Sequence, residues 1–325
     1  MQLPTIDDIR SAAAQIRPYA VRTPLIESDR LNHLLGGRVL LKLETLQRTG
    51  TFKFRGAYNK ISRLTPAEHP GGVVAASSGN HAQGVADAAR MMGFSAAIVM
   101  PAQAPALKIA RTKALGAEVI AYDRDSGDRE AIFTEAAQQR GAVKVPPFDD
   151  PLIIAGQGTV GLELAEQADT LGAAPDLVLA PCGGGGLVSG VAIAVHAAYP
   201  RAQVFAVEPE GFDDTTRSLA SGRMESNAQR GGSICDALLS SSPGDLTLAV
   251  CRAQAVVGAV VTERNVRDAM RYAFEELKLV VEPGGAVGLA ALLSRVVPLG
   301  GRTAVVVLSG GNVEPAMFAE IIAGG

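Results

Sequence analysis

Between Gly71 and Phe148 the chain alternates short apolar runs with longer amphipathic ones. "GVVAAS", "FSAAIVMP", "AEVIAYD" and "AVKVPPF" read as strands. Between them "NHAQGVADAARMMG", "APALKIARTKALG" and "DREAIFTEAAQQRG" read as helices, the first two closed by Gly93 and Gly116. The strand runs are continuously apolar rather than alternating, as in a parallel sheet covered on both faces. A second series follows, with "DLVLAP", "AQVFAVEP" and "TAVVVLSGG" as strands and "LVSGVAIAVHAAYP", "NVRDAMRYAFEEL" and "GGAVGLAALLSRV" as helices. The pattern predicts an α/β protein with two open, twisted parallel-sheet units. A Pro-Pro pair and the run Asp149-Asp150-Pro151 mark an exit, so a small domain at 72–149 is expected as an insertion between 1–71 and 150–325.

"TGTFKFRGA", residues 49–57, breaks a local rule. The apolar spacing from Phe54 onward is helical, with Thr51 or Thr49 available as N-cap. Lys53 and Arg55 then fall in the first turn, the end of a helix that carries partial positive charge. Such a place suits a lysine that must lose its proton, because the helix terminus, a neighbouring arginine and burial beside Phe52 and Phe54 all disfavour the ammonium form. A neutral lysine amine is the nucleophile that makes Schiff bases.

The 325 residues are 47% apolar with a formal net charge of −3, and the basic residues are dispersed, so a nucleic-acid or membrane-surface partner is not expected. Three scattered cysteines form no zinc spacing and fit a reducing cytoplasm. The opening "MQLPTIDDIR" reads as a helix with Thr5 and Asp8 as a capping box, not as a signal peptide.

In parallel α/β sheets ligands sit at strand exits. The exit "SSGNH", Ser77 to His81, leads straight into a helix and has four polar side chains, more than capping requires. Its amides and hydroxyls suit a carboxylate. The exit "CGGGGL", Cys182 to Leu187, places four glycines before a helix, a design that cradles phosphate. It lacks the Lys-Ser/Thr of a P-loop, and Gly184, Gly186 and Ser189 match a dinucleotide fingerprint only in part. The exit "LSGGN" offers Ser309 as a hydroxyl for a ring nitrogen. A lysine amine, a carboxylate pocket, a phosphate cradle and a hydroxyl together match pyridoxal phosphate holding an amino acid.

Across nearly its whole length the chain resembles the serine/threonine dehydratases and serine racemases of the tryptophan synthase β-like, pyridoxal-phosphate-dependent fold. The resemblance rests on "TPLIES", "LKLETLQRTGTFKFRGA", "SSGNHAQG", "MPAQAPALKIARTKALGAEV", "GGGGLVSG", "EPGGA" and "LSGGN", in family order. It implies that Lys53 carries the cofactor as a Schiff base and removes the α-proton. Phe52 would pack beside the ring, Asn80 would contact its 3′-oxygen, Gly183, Gly184, Gly185, Gly186 and Leu187 would bind the phosphate, and Ser309 would face the pyridine nitrogen. Ser77, Asn80 and His81 would hold the substrate carboxylate, with Arg129 nearby. Ser78 would be the second catalytic base, on the face opposite Lys53. Glu208, the carbonyl of Phe212 and Asp214 resemble a divalent-metal site for Mg²⁺, or Ca²⁺ or Mn²⁺. The larger domain would bind the cofactor, and a homodimer is the family expectation. Thr51, Cys182 and Ala237 depart from the usual serine, aliphatic residue and glycine at those places. The expected activity is deamination of L-threonine or L-serine, with serine or aspartate racemisation, 3-hydroxyaspartate dehydration and non-catalytic binding as the alternatives.

Overall fold

The computed structural model describes residues 2–77, 79–104, 106–123, 128–229 and 231–324, with the backbone alone at Leu107. Among the described residues ten strands form two sheets. They are β1 (Leu25–Glu27), β2 (Arg38–Leu43), β3 (Val73–Ala76), β4 (Ala96–Pro101), β5 (Glu118–Tyr122), β6 (Val143–Lys144), β7 (Leu177–Pro181), β8 (Gln203–Pro209), β9 (Val257–Val261) and β10 (Thr303–Leu308). The larger sheet runs β1-β2-β10-β7-β8-β9 and the smaller β5-β4-β3-β6. Neighbours are parallel except β1 and β2, where the edge strand turns back antiparallel. The smaller sheet is drawn wholly from residues 73–144.

Successive residues of the central strands point into different cores. In β10, Val306 packs with Leu41, Leu179 and Val207, while Val305 and Val307 pack with Leu40, Val178 and Val204 on the other face. Both faces are therefore covered, the physical reason the strands read as unbroken apolar runs.

Several elements escaped the periodicity. β1, β2, β9 and the 20-residue helix Pro151–Thr170 were not among the predicted elements. That helix contains Gly156, Gly158 and Gly161, residues that read as breakers. Here they permit close approach: a Cβ at Gly156 would lie 2.6 Å from the Cα of Gly56. The helix crosses under Lys53–Ile61 at glycine-to-glycine contact, a packing that the pattern of apolar residues does not announce.

The start of Lys53–Ile61 also differs from expectation. Neither threonine caps it; Phe52 is the N-cap, with no side-chain cap bond. Thr51 instead bridges to Gly310 and its Oγ1 donates to the Ser309 carbonyl at 3.1 Å. The helix is thereby stitched to the exit of β10.

Candidate active site

The exits of β3, β7 and β10 and the start of Lys53–Ile61 converge on a cavity of about 160 Å³ between the two sheets. Phe52, Lys53, Ser77, Asn80 and His81 line it, as do the glycine run with Leu187, Ser309 and Arg129. Ser78 lies outside the described residues. Glu208, Phe212 and Asp214 sit at the far end of β8 and do not line the cavity.

Lys53 Nζ donates to the Pro147 carbonyl at 2.8 Å and lies 5.2 Å from the centre of the Phe52 ring. Burial pushes its pKa down to about 8 against the opposing pull of the Glu282 carboxylate. Arg55, expected to help lower it, contributes nothing. Its guanidinium turns the other way, onto Glu44 and Glu163.

The glycine loop passes from β7 into the helix Gly186–Ala198. Gly185 has φ +91°, a left-handed conformation that disfavours any side chain. A Cβ at Gly184 would strike the Phe148 ring, and at Gly186 it would come within 2.9 Å of the Phe148 Cβ. Among the described residues the backbone N–H groups of Gly183, Gly184 and Gly185 have no acceptor. Unpartnered donors at a helix N-terminus fit a phosphate. The Ser309 hydroxyl, nearly buried in the same cavity, likewise has no partner among the described residues. These groups fit pyridoxal phosphate: donors for its phosphate, a hydroxyl for its ring nitrogen and an amine for its aldehyde.

Asn80 starts the helix Asn80–Met92, and its Nδ2 donates to Glu282 Oε1 at 2.7 Å. The Ser77 hydroxyl accepts from Gly79 N–H at 3.2 Å. His81 departs from its expected role. Its ring is buried, with Nε2 2.9 Å from the Val145 carbonyl, and burial with nearby Lys53 depresses its pKa to about 3. The neutral ring spends its N–H on Val145, so Nδ1, buried without a partner, has no proton to offer a carboxylate. Arg129 opens the helix Arg129–Arg140, exposed at the cavity mouth and without an ion-pair partner among the described residues.

At the exit of β8 both Glu208 oxygens are occupied, accepting from the backbone of Thr215 and Thr216 at 2.9 and 2.7 Å. Burial pushes Glu208 up to about 8, and burial likewise raises Asp214 to about 6. Asp214 Oδ2 is buried with no hydrogen-bond partner. Two buried acids and an orphaned carboxylate oxygen suit a hard cation held by oxygen ligands. Among the described residues no cluster of three or more His, Cys, Asp or Glu side chains has metal-binding geometry.

Three charged residues of the cavity received no role from sequence reasoning. Glu282 is the acid of "EPGGA"; Lys108 and Asp236 form an ion pair that spans the cleft from the helix Ala106–Ala114 to the turn Asp236–Leu238. The available signal was an acid directly before the proline of a helix start, which is also an ordinary N-terminal composition.

This fold and cleft define a vitamin-B6 enzyme of the tryptophan synthase β-like class. The pyridoxal-phosphate dependent enzyme family matches residues 16–310, and the chain belongs to it. An L-threonine ammonia-lyase of Thermotoga maritima is 41% identical over 318 residues, covering 98% of this chain and 78% of that protein. An L-threo-3-hydroxyaspartate ammonia-lyase of a Pseudomonas species is 40% identical over 324 residues, 100% of each. The solved structure of maize serine racemase superposes with a TM-score of 0.91 at 38% identity, covering 99% of this chain and 98% of that one.

Proposed function

We propose that this chain, a pyridoxal-phosphate-dependent ammonia-lyase, deaminates L-threonine and L-serine to 2-oxobutanoate or pyruvate. The observation that carries the reading is the meeting in one cavity of a lysine of depressed basicity, a row of unpartnered backbone donors and a free hydroxyl. When bound, pyridoxal phosphate supplies an aldehyde for amines and a ring that spreads negative charge from the α-carbon. The backbone of Gly183 to Leu187 would hold its phosphate, Phe52 would pack beside its ring, and Asn80 would contact its 3′-oxygen. Ser309 would offer the ring nitrogen a hydroxyl rather than a carboxylate, a partner that would leave that nitrogen neutral and favour prompt loss of the β-substituent.

Ser77 and the backbone at the start of Asn80–Met92 orient the substrate carboxylate, helped by the helix dipole. Lys53 Nζ takes the α-proton. With a pKa of about 8 a useful fraction is unprotonated near neutrality, whereas an ordinary lysine is almost wholly charged. Loss of the β-hydroxyl as water leaves an enamine, and its hydrolysis takes up one water and releases ammonia and the 2-oxo acid.

Arg129 favours a second substrate. A guanidinium without an ion-pair partner among the described residues, at the mouth of the cavity, would neutralise a side-chain carboxylate, as in L-threo-3-hydroxyaspartate. The deciding experiment is 2-oxo acid release from L-threonine, L-serine, D-serine and L-threo-3-hydroxyaspartate, with chiral chromatography of recovered serine. Turnover of L-threonine or L-serine above the others supports the main reading. Preference for hydroxyaspartate, lost in R129M, supports the second, and no release from any of them overturns both.

The same proposal includes a structural divalent cation on Glu208, the Phe212 carbonyl and Asp214, a cytoplasmic location and a homodimer. The orphaned Asp214 oxygen supports the first, three unpaired buried cysteines the second, and exposed Phe274, Val280 and Leu46 the third. Among the described residues no helix is long and apolar enough to cross a membrane.

A further inference from the structure

Glu282 is a carboxylate whose position stability does not explain. It is the N-cap of the helix Pro283–Leu293, within reach of that helix's free N–H groups, yet its side chain makes no capping bond. It turns into the cleft instead, 4% exposed, and lines the cavity beside Lys53 and Asn80. Burying a carboxylate without a paired cation is unfavourable, and an apolar residue of the same size would cost less.

Its contacts close a ring. Asn80 Nδ2 donates to Glu282 Oε1 at 2.7 Å, and Asn312 Nδ2 donates to Asn80 Oδ1 at 2.9 Å. The Asn312 backbone lies toward the same carboxylate and favours its charged form, and Asn312 Nδ2 is itself anchored on the Thr49 carbonyl at 2.8 Å. Only one orientation of the Asn80 amide satisfies both neighbours: nitrogen toward Glu282, oxygen toward Asn312. An acid at 282 accepts and cannot be replaced in this by an apolar group. The second Asn80 N–H is left over for the cavity.

Burial, with Asp236 nearby, pushes the Glu282 pKa up to about 7, and in its charged form the carboxylate supplies the opposing charge that raises the basicity of Lys53. The charged and polar groups facing Glu282 are Lys53 and Asn80 from their helix starts, Lys108 from Ala106–Ala114, Asp236 from its turn, and Asn312 with Gly310 from the loop after β10. Lys108 is already engaged by Asp236, so no cation is dedicated to Glu282.

We propose that Glu282 is a positioning residue of this site: it locks the Asn80 amide in one orientation and holds negative charge against Lys53 Nζ. The proposal rests on the reading of Lys53 as the cofactor-bearing lysine. Its consequence is that Glu282, acting through Lys53 and Asn80, sets the pH range over which Lys53 exchanges its proton.

The test compares wild type, E282Q and E282M by three measurements: the pH titration of the visible absorption of the bound cofactor, equilibrium binding of pyridoxal phosphate to the apoprotein, and thermal melting of the apoprotein. E282Q keeps the acceptor and removes the charge, so its titration midpoint should fall by about one pH unit with affinity near wild type. E282M removes both, and pyridoxal phosphate should bind roughly tenfold more weakly. Apo-E282M should melt no lower than wild type, because a buried carboxylate has gone. A purely structural residue would give the reverse: a lowered melting point and an unmoved titration. Superimposable titrations in wild type and E282Q overturn the charge role, and wild-type affinity in E282M overturns the locking role. Should E282M fail to fold, the E282Q titration decides. A wild-type protein whose cofactor is not fixed to Lys53 by borohydride overturns the functional reading itself, an outcome distinct from either.

Discussion

Lys53 and Arg55 stand two residues apart in one helical turn, and their surroundings are opposites. Lys53 has a single hydrogen bond, to a backbone carbonyl, and burial lowers its pKa. Arg55 is fully buried in a saturated network. Its Nε and Nη2 each donate to Glu44 at 2.8 Å, and Nη1 and Nη2 donate to Glu163 at 2.7 and 2.9 Å. Lys42 adds a second buried cation on Glu163 at 2.7 Å, and the Thr23 hydroxyl donates to Glu44 at 2.6 Å. Burial acts on both cations. Among the described residues Arg55 is hydrogen-bonded to two carboxylates and Lys53 to none, and those of Arg55 keep its charge secure, above the ordinary arginine value. The lesson is that one helix can carry a fixed cation on its rear face and a labile one at the cleft. The difference lies in the partners, because desolvation is common to both. The network also pins the helix from behind to β2 and Pro151–Thr170, so Lys53 is presented on a rigid mount.

The comparison breaks most sharply at the cleft. K53A should abolish 2-oxo acid release and the borohydride-fixable yellow colour while leaving the fold intact, checked by turnover, absorption and circular dichroism. Turnover at the wild-type rate would remove the lysine from the chemistry altogether.

At the rear face the effect should be on folding. R55M leaves Glu44 and Glu163 with only Lys42 to offset them and should cost about 3–5 kcal/mol in denaturant unfolding. R55M combined with E44Q should recover part of that loss. If R55M were as stable as wild type, the network would not be the mount described above.

His81 sharpens the comparison as a third basic group beside the same cleft. Its folded pKa, about 3, lies below the ordinary 6.5, so in that window the unfolded chain binds the extra proton. Its stabilisation is complete above about pH 6.5 and is lost as pH falls toward 3. H81Q, whose amide can still donate to Val145, should show a flatter acid limb in melting experiments between those values. Parallel acid limbs in the two proteins would mean that the ring is charged in the folded state.

The smallest effect concerns Glu208 and Asp214 at the exit of β8. Exhaustive chelation should lower the melting temperature by a few degrees, and Mg²⁺ should restore it, since a cation at a hundred times its Kd stabilises by roughly 2.7 kcal/mol. D214N should no longer respond to either treatment.

Much of this protein was legible along the chain. The β/α alternation and the glycine loop needed only local pattern, because unbroken apolar runs report burial on both faces and four glycines before a helix report a backbone that must approach a ligand. The first-turn lysine was visible as a broken rule, and nearly all the expected cofactor and substrate residues do line one cavity. Other features had no sequence signal. The helix Pro151–Thr170 depends on glycines whose meaning is set by what they touch. His81 was read as a carboxylate donor until the nearness of the Val145 carbonyl showed where its proton goes. Arg55 read as a neighbour of Lys53, yet a helix places residues two apart on different sides, and only the packing of Glu44 and Glu163 decided which side was closed. Glu282 reaches Asn80 across 202 positions of chain. Propensity and periodicity are properties of neighbours in sequence, and they determined the elements and their ends. Charge, basicity and hydrogen-bond direction depend on neighbours in space, and these the tertiary structure alone decided.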